Sequence, residues 1–263
     1  MLVSRRPGAL TAWGSAFLLG LESADHTDDA VRADDALHRV VGLPGEDGGA
    51  TVPVALGRLR ASGVTALRLV LPEPGDLTGM AGPAAASTAA TAAGAAVLTV
   101  GPHTAPTLAL IPSSARSEQG DVVRWDVVDV EPTVAPHGLP TLGEADRMVA
   151  EAMREAIESL AVLDVASGRD DVAGRLAGIE RGLQRLDLPA ALPARAQRLV
   201  ASGSRLLAIT VLAADSDGAA VTAAAAAARA EVLRPLRRAA RYALCAGYSA
   251  LADPTSGAAG GPR

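Results

Sequence analysis

A chain of 263 residues is long enough for one large domain or two ordinary ones, and it can bury a core without disulfide or metal staples. All 24 basic residues are arginine, and lysine and asparagine are both missing, which removes Schiff-base chemistry and the P-loop lysine. The net charge of -5 argues against a general nucleic-acid binder, because neutralising phosphates needs a basic excess.

Aromatic residues are only 2%, so the core must be built from Ala, Val and Leu. Residues 1 to 136 hold 9 arginines against 15 acids, and residues 137 to 263 hold 15 against 14, so the second half is the more basic but close to neutral. The single cysteine, Cys245, excludes an intrachain disulfide framework and a cysteine zinc site. Its Ala-rich helical surroundings suit a buried, inert thiol better than a nucleophile. An arginine pair and an apolar run from Ala9 to Leu21 raise the question of a signal peptide. Glu22, Ser23, Ala24 and Asp25 supply no small-x-small cleavage site, however, and the run is too short for a membrane span. A cytoplasmic chain without a transmembrane segment is expected.

In chain order, Leu10, Trp13, Phe17 and Leu21 stand at helical spacing and predict an amphipathic helix. Thr27 before Asp28 and Asp29 reads as the N-cap of a short helix toward Asp35, and residues 36 to 42 as a strand. A helix comes next from Thr51, with Val54, Leu56 and Leu59 inward and Gly63 closing it. Residues 64 to 71 form the next strand. Strand, helix and strand within this distance suggest one βαβ unit, in which 37 to 41 and 66 to 71 run parallel. A loop, VLPEPGDLTGMAGP (70 to 83), then leads to an alanine-rich helix that ends at Gly94. Strands at 96 to 100, 107 to 111 and 121 to 130, joined by turn-rich GPHTAP and PSSARSEQG, make an antiparallel meander.

Residues 135 to 140 belong to a Pro-rich linker, and the chain beyond it is helical. Thr141 and Glu144 form a capping box for a helix to about Ala166. Asp170 caps a second helix, with Val172, Leu176, Ile179, Leu183 and Leu186 along one stripe. A third covers 194 to 214, and a fourth runs to Leu251 with a kink expected at Pro235. The fold class is therefore α+β: residues 1–134 with a small mixed sheet, an antiparallel four-helix bundle at 141–252, and a disordered tail at 253–263.

Two regions invite a ligand. The loop at 72 to 83 matches neither dinucleotide nor Walker spacing, and its prolines lack N–H groups for a phosphate. Its expected place after a parallel strand nevertheless makes Gly75, Asp76 and Gly79, with Arg68 on the strand, candidate ligand contacts. In RPLRRAARY, Arg234, Arg238 and Arg241 recur along one helix face with Arg237 beside them, as an anion or partner contact or as partners of acidic faces in the same chain. The acids Asp25, Asp28, Asp29, Asp34 and Asp35 near His26 and His38 read as a solvated face, since no metal-ligand spacing accompanies them. His103 and His137 sit in loops outside any motif. Glu144, Glu151, Glu155 and Glu158 lack the Glu-x-x-His pairs of a di-metal bundle and interleave with Arg147 and Arg154. No metal and no cofactor is expected.

The stretch GRLRASGVTALRLVLPEPGD, with a helical half after it, resembles uncharacterised proteins of high-GC actinobacteria, a resemblance that implies no particular activity. The functional expectation is a non-catalytic protein acting through protein association or oligomerisation, helped by small residues such as Ala223 to Ala228. The alternative is binding of, or catalysis on, a small anionic metabolite at 72–83, with Arg68, Arg234 or Arg238 as counter-charges.

Overall fold

The computed structural model describes residues 5–45, 48–80, 82–130, 139–162, 178, 186–215 and 223–253. Helix α1 (Arg5–Leu18) and helix α2 (Ala24–Arg32) precede strand β1 (Leu37–Val41). Helix α3 (Val52–Ala61), strand β2 (Ala66–Val70), helix α4 (Ala84–Ala93) and strands β3 (Ala96–Val100), β4 (Leu108–Ser117) and β5 (Gly120–Asp129) come next. Among the described residues three long helices come after the sheet: α5 (Leu142–Val162), α6 (Ala194–Asp215) and α7 (Ala223–Tyr248), the last succeeded by a 3-10 turn over Ala250–Ala252. The architecture is α+β, a five-stranded mixed sheet with helices and then a helical part. No helix among the described residues is long and apolar enough to cross a membrane.

The sheet order is β1-β5-β4-β3-β2. This corrects the βαβ unit: β1 runs parallel to β5, with Val40 opposite Trp125, whereas β2 pairs antiparallel with β3, with Arg68 opposite Leu98. The two strands joined through α3 lie on opposite edges. Hydrophobic runs announce strands, but which strands pair is decided by burial across the whole sheet, and β1 finds its parallel neighbour some eighty residues downstream. The β4–β5 hairpin is also longer than its sequence suggests. Pro112 pairs with Trp125 and Ser117 with Gly120, so much of PSSARSEQG is strand. Beyond Ile111, β4 has β5 on one side only, and an edge tolerates a proline that has no N–H to give.

Alternation along the strands sends Leu67, Val97, Leu110, Val123 and Trp125 to one face, against Leu10 and Trp13 of α1 and Leu56 and Leu59 of α3. Val70, Ala96, Leu98, Ala109 and Ile111 line the other, against Ala86 and Ala90 of α4. Three details depart from the sequence-based expectation. Val54 and Leu21 are exposed, and α3 turns Val52 and Ala55 inward instead. Ser23, not Thr27, caps α2: its hydroxyl accepts the His26 N–H at 3.2 Å, while the hydroxyl of buried Thr27 has no partner among the described residues. Asp35 lies beyond the end of α2 and is buried, not part of a solvated face.

In the helical part the Thr141–Glu144 box forms, the Thr141 N–H donating to Glu144 at 2.9 Å. Helices α6 and α7 pack antiparallel at very short range, with Gly203 against Ala240 and Ala243 and Gly247 against Val200 and Ala196. The start of α5 lies beside that of α6, where Arg195 meets Asp146 at 3.1 Å. Most of the second bundle helix, most of the linker, the tail after Asp253, His137 and the side chains of Ala223 to Ala228 lie outside the described residues.

Candidate functional site: the turn at Glu73 and the arginine face of α7

The loop after β2 opens with Glu73-Pro74-Gly75-Asp76, a tight turn closed by Glu73 N–H to Asp76 O at 2.9 Å and Asp76 N–H to Glu73 O at 2.8 Å. Proline suits the second position of such a turn, and the positive φ of 83° at Gly75 the third, where glycine meets no steric penalty. The turn holds the Glu73 and Asp76 carboxylates side by side. Gly79, also at φ 83°, brings the chain against Leu139 and Val70, where a side chain would collide.

Arg241 of α7 enters this pincer. Its Nε donates to Leu71 O at 2.8 Å, Nη1 to Glu73 at 2.8 Å and Nη2 to Asp76 at 3.1 Å. The guanidinium side chain is 6% exposed, so its charge is satisfied inside the protein by two carboxylates and a carbonyl. Tyr242 donates to Thr78 Oγ1 at 2.8 Å and also lies against Asp76. Burial alone would push the Asp76 carboxyl up. Hydrogen bonds from Thr78, the charge of Arg241 and the Tyr242 hydroxyl outweigh it and hold the group below the usual carboxylate range. Burial raises the Tyr242 phenol.

The rest of the arginine face is less enclosed. Arg237 reaches Glu73 at 2.6 Å, Arg238 lies 3.5 Å from Asp76, and Arg234 pairs with Glu231 one turn back. Four of the sequence candidates, Asp76, Arg237, Arg238 and Arg241, therefore meet, together with Glu73, Thr78 and Tyr242, which no sequence motif singles out. Glu73 had a detectable signal, since an E-P-G-D turn sets its two acids at one spacing. Arg68 stays apart, half-buried on β2, where burial lowers its pKa against the opposing pull of Asp253. The loop leaves a strand with an antiparallel neighbour, so the ligand position expected after a parallel strand does not arise here.

The same side of the sheet carries a seal. Strand β2 is an edge, and its outward backbone groups are taken up by side chains: Ser15 Oγ accepts from Leu67 N–H at 2.9 Å and Ser249 Oγ from Leu69 N–H at 2.9 Å. The Leu71 carbonyl goes to Arg241, and its N–H faces the sulfur of Cys245. Burial pushes that thiol up to about 12, so it is inert at neutral pH.

A second polar chain crosses the opposite end of the sheet. Trp125 Nε1–H points at His38 Nδ1 at 3.4 Å, His38 Nε2–H donates to Asp35 at 3.0 Å, and Arg6 bonds both Asp35 and Asp121. Burial lowers the His38 pKa more than Asp35 restores it, and Nδ1 can accept from tryptophan only while the ring is neutral. Burial would raise the Asp35 carboxyl, but Arg6 and His38 hold it down, while Arg6 itself is raised by Asp35.

Two family models match the chain: Rv1486c-like protein, N-terminal domain, over residues 8–138, and Rv1486c-like protein, C-terminal domain, over residues 143–245. The chain belongs to this uncharacterised family, which takes its name from a mycobacterial protein. No curated protein and no solved structure matches it.

Proposed function

We propose that this member of the Rv1486c-like family is a non-catalytic protein that works by association, with a second copy of itself as the partner. The observation that carries the reading is a groove of about 210 Å³ between α5 and α7. Met148, Ala152, Pro235 and Ala239 form its apolar floor. Glu151 and Glu155 stand on the α5 wall, and Arg234 and Arg238 on the α7 wall. An apolar floor between walls of opposite sign is self-complementary: across a two-fold axis the acids of one copy face the arginines of the other. Although Arg234 pairs with Glu231 and Arg238 lies near Asp76, both side chains stay open to solvent, 67% exposed at Arg234 and 52% at Arg238, and Met153 of α5 adds exposed apolar surface.

Support also comes from the junction. An anionic metabolite at 72–83 would need cations not already engaged, and Arg241 is enclosed by Glu73 and Asp76. The proposal assigns no nucleic-acid partner, in keeping with the net charge of -5. It also keeps the cytoplasm as the compartment, which suits a lone cysteine buried as a thiol.

The test is solution mass by light scattering at tens of micromolar. Wild type should run at twice the monomer mass, and E151R/E155R and R234E should each run as monomers. Mixing the two variants should restore the dimer, because each then offers the charge the other lacks. A monomeric wild type, or charge variants that stay dimeric, would overturn the reading.

A further inference from the structure

Where α1 and α2 face the segment that leads into α6, the structure has a partly open cavity of about 280 Å³. It shares no lining residue with the groove above, and its walls come from both halves of the sequence: Arg5, Asp34 and Asp35 from one, Asp187 and Tyr248 from the other. Tyr248 is the informative residue. Its ring lies directly against Gly8 of α1, where even a Cβ would collide with Cζ, and the residue is only 2% exposed. Among the described residues the phenol makes no hydrogen bond, and its oxygen, unlike the fully buried Thr27 Oγ1, is not sealed from solvent. It lines the cavity, with the charge of Arg5 close by, while burial raises its pKa.

The charge of the walls selects the ligand. Arg6 is consumed by Asp35 and Asp121. Arg5 lies 3.6 Å from Asp34, whose side chain remains 88% exposed. The Asp187 carbonyl accepts the Trp13 indole N–H at 3.2 Å, which fixes that wall, and the Asp187 carboxylate has no ion pair among the described residues. Asp29 pairs with Arg32, so Asp187 is the lining carboxylate left without an ion pair among the described residues, while both lining arginines are engaged.

We propose that this cavity binds a small organic cation, an amine or guanidine of up to about fifteen non-hydrogen atoms, with its charge toward Asp34 and Asp187 and a polar group on the Tyr248 hydroxyl. Such a ligand would bridge the α1–α2 side to the end of α7 and so tighten their contact.

The experiment is a thermal-shift and calorimetric titration of the full chain with agmatine and putrescine, with citrate, phosphate and sodium chloride at matched ionic strength as comparisons. Agmatine or putrescine should raise Tm saturably while the comparison solutes do not. Tyr248→Phe keeps the ring on Gly8 and removes only the hydroxyl, so it should hold or exceed the wild-type Tm in buffer yet bind the cation roughly tenfold more weakly. Asp187→Asn should weaken binding in the same direction. No shift with either cation, a shift reproduced by sodium chloride or citrate, or binding unchanged in both variants would each overturn the proposal.

Discussion

The guanidinium of Arg241 and the carboxylate of Asp76 stand 3.1 Å apart, both nearly excluded from water, across 165 residues of chain. This pair, with Glu73, is the electrostatic joint between the sheet edge and the last helix. Removing one member of a buried pair leaves an uncompensated charge, which is where such pairs exert their largest effect.

Asp76→Asn keeps the shape of the turn but leaves Arg241 with Glu73 as its only carboxylate. We expect a loss of about 2–4 kcal/mol in urea unfolding. Glu73→Gln should lose less, since the Glu73 side chain is 27% exposed and water can screen the change. The double variant should lose more than the sum of the two, because either acid alone still compensates the guanidinium and only their joint removal leaves it buried without a carboxylate.

Ser249→Ala and Ser15→Ala each orphan a backbone N–H on the edge strand. Each should lose about 1–3 kcal/mol, the usual desolvation penalty of a buried donor. Hydrogen exchange should quicken at the Leu69 amide in the first and at the Leu67 amide in the second, and not the reverse.

Stability should fall on mild acidification, and His38 is the reason. Its folded pKa is depressed, so above the ordinary imidazole value of about 6.5 both folded and unfolded rings are neutral and the full stability is present. As pH drops below that value the unfolded ring takes up a proton before the folded one does, and unfolding gains. His38→Gln should flatten this leg of the curve. A second leg, below the ordinary carboxylate range, belongs to Asp35 and Asp76, whose folded values are also lowered. It should persist in that variant. Urea midpoints from pH 7.5 to pH 2 distinguish the legs.

Gly247→Val places a side chain where even a Cβ would stand 2.7 Å from Val200 Cγ2 and 3.1 Å from the Ala196 carbonyl. Helices α6 and α7 would have to separate, at about 1–3 kcal/mol or more. Gly57→Ala, on α3 with nothing near its Cβ, should instead be neutral or stabilising by up to about 1 kcal/mol. Thermal melts of the two variants check the contrast.

Local signals carried most of the elements. The Thr141–Glu144 box, the period of Val123, Trp125 and Val127, and the punctuation at Gly94 are read from neighbouring residues, and each has the predicted counterpart in the structure. Pairing was not local. Nothing within residues 37 to 71 reports that β1 will choose β5 over β2, because that choice depends on which faces Leu10, Trp13 and α3 can cover. The joint was half legible. The arginine period on α7 and the odd loop at 72 to 83 both stood out, but their meeting depends on how α7 lies along β2. The chain from Trp125 to Arg6 was not legible at all: its members are scattered over 120 positions, and Asp35 looked like one more surface acid.

The seal on β2 also sets an order of events during synthesis. Ser15 is made before the strand it protects, but Arg241 and Ser249 follow the backbone groups they cover by 170 and 180 residues. Until they arrive, a nearly complete nascent sheet presents Leu69 and Leu71 as an open edge, the kind of template on which chains stick to one another. A chain that stops short of α7 loses more than a helix; it releases a sheet whose sticky margin that helix and the turn after it would have closed.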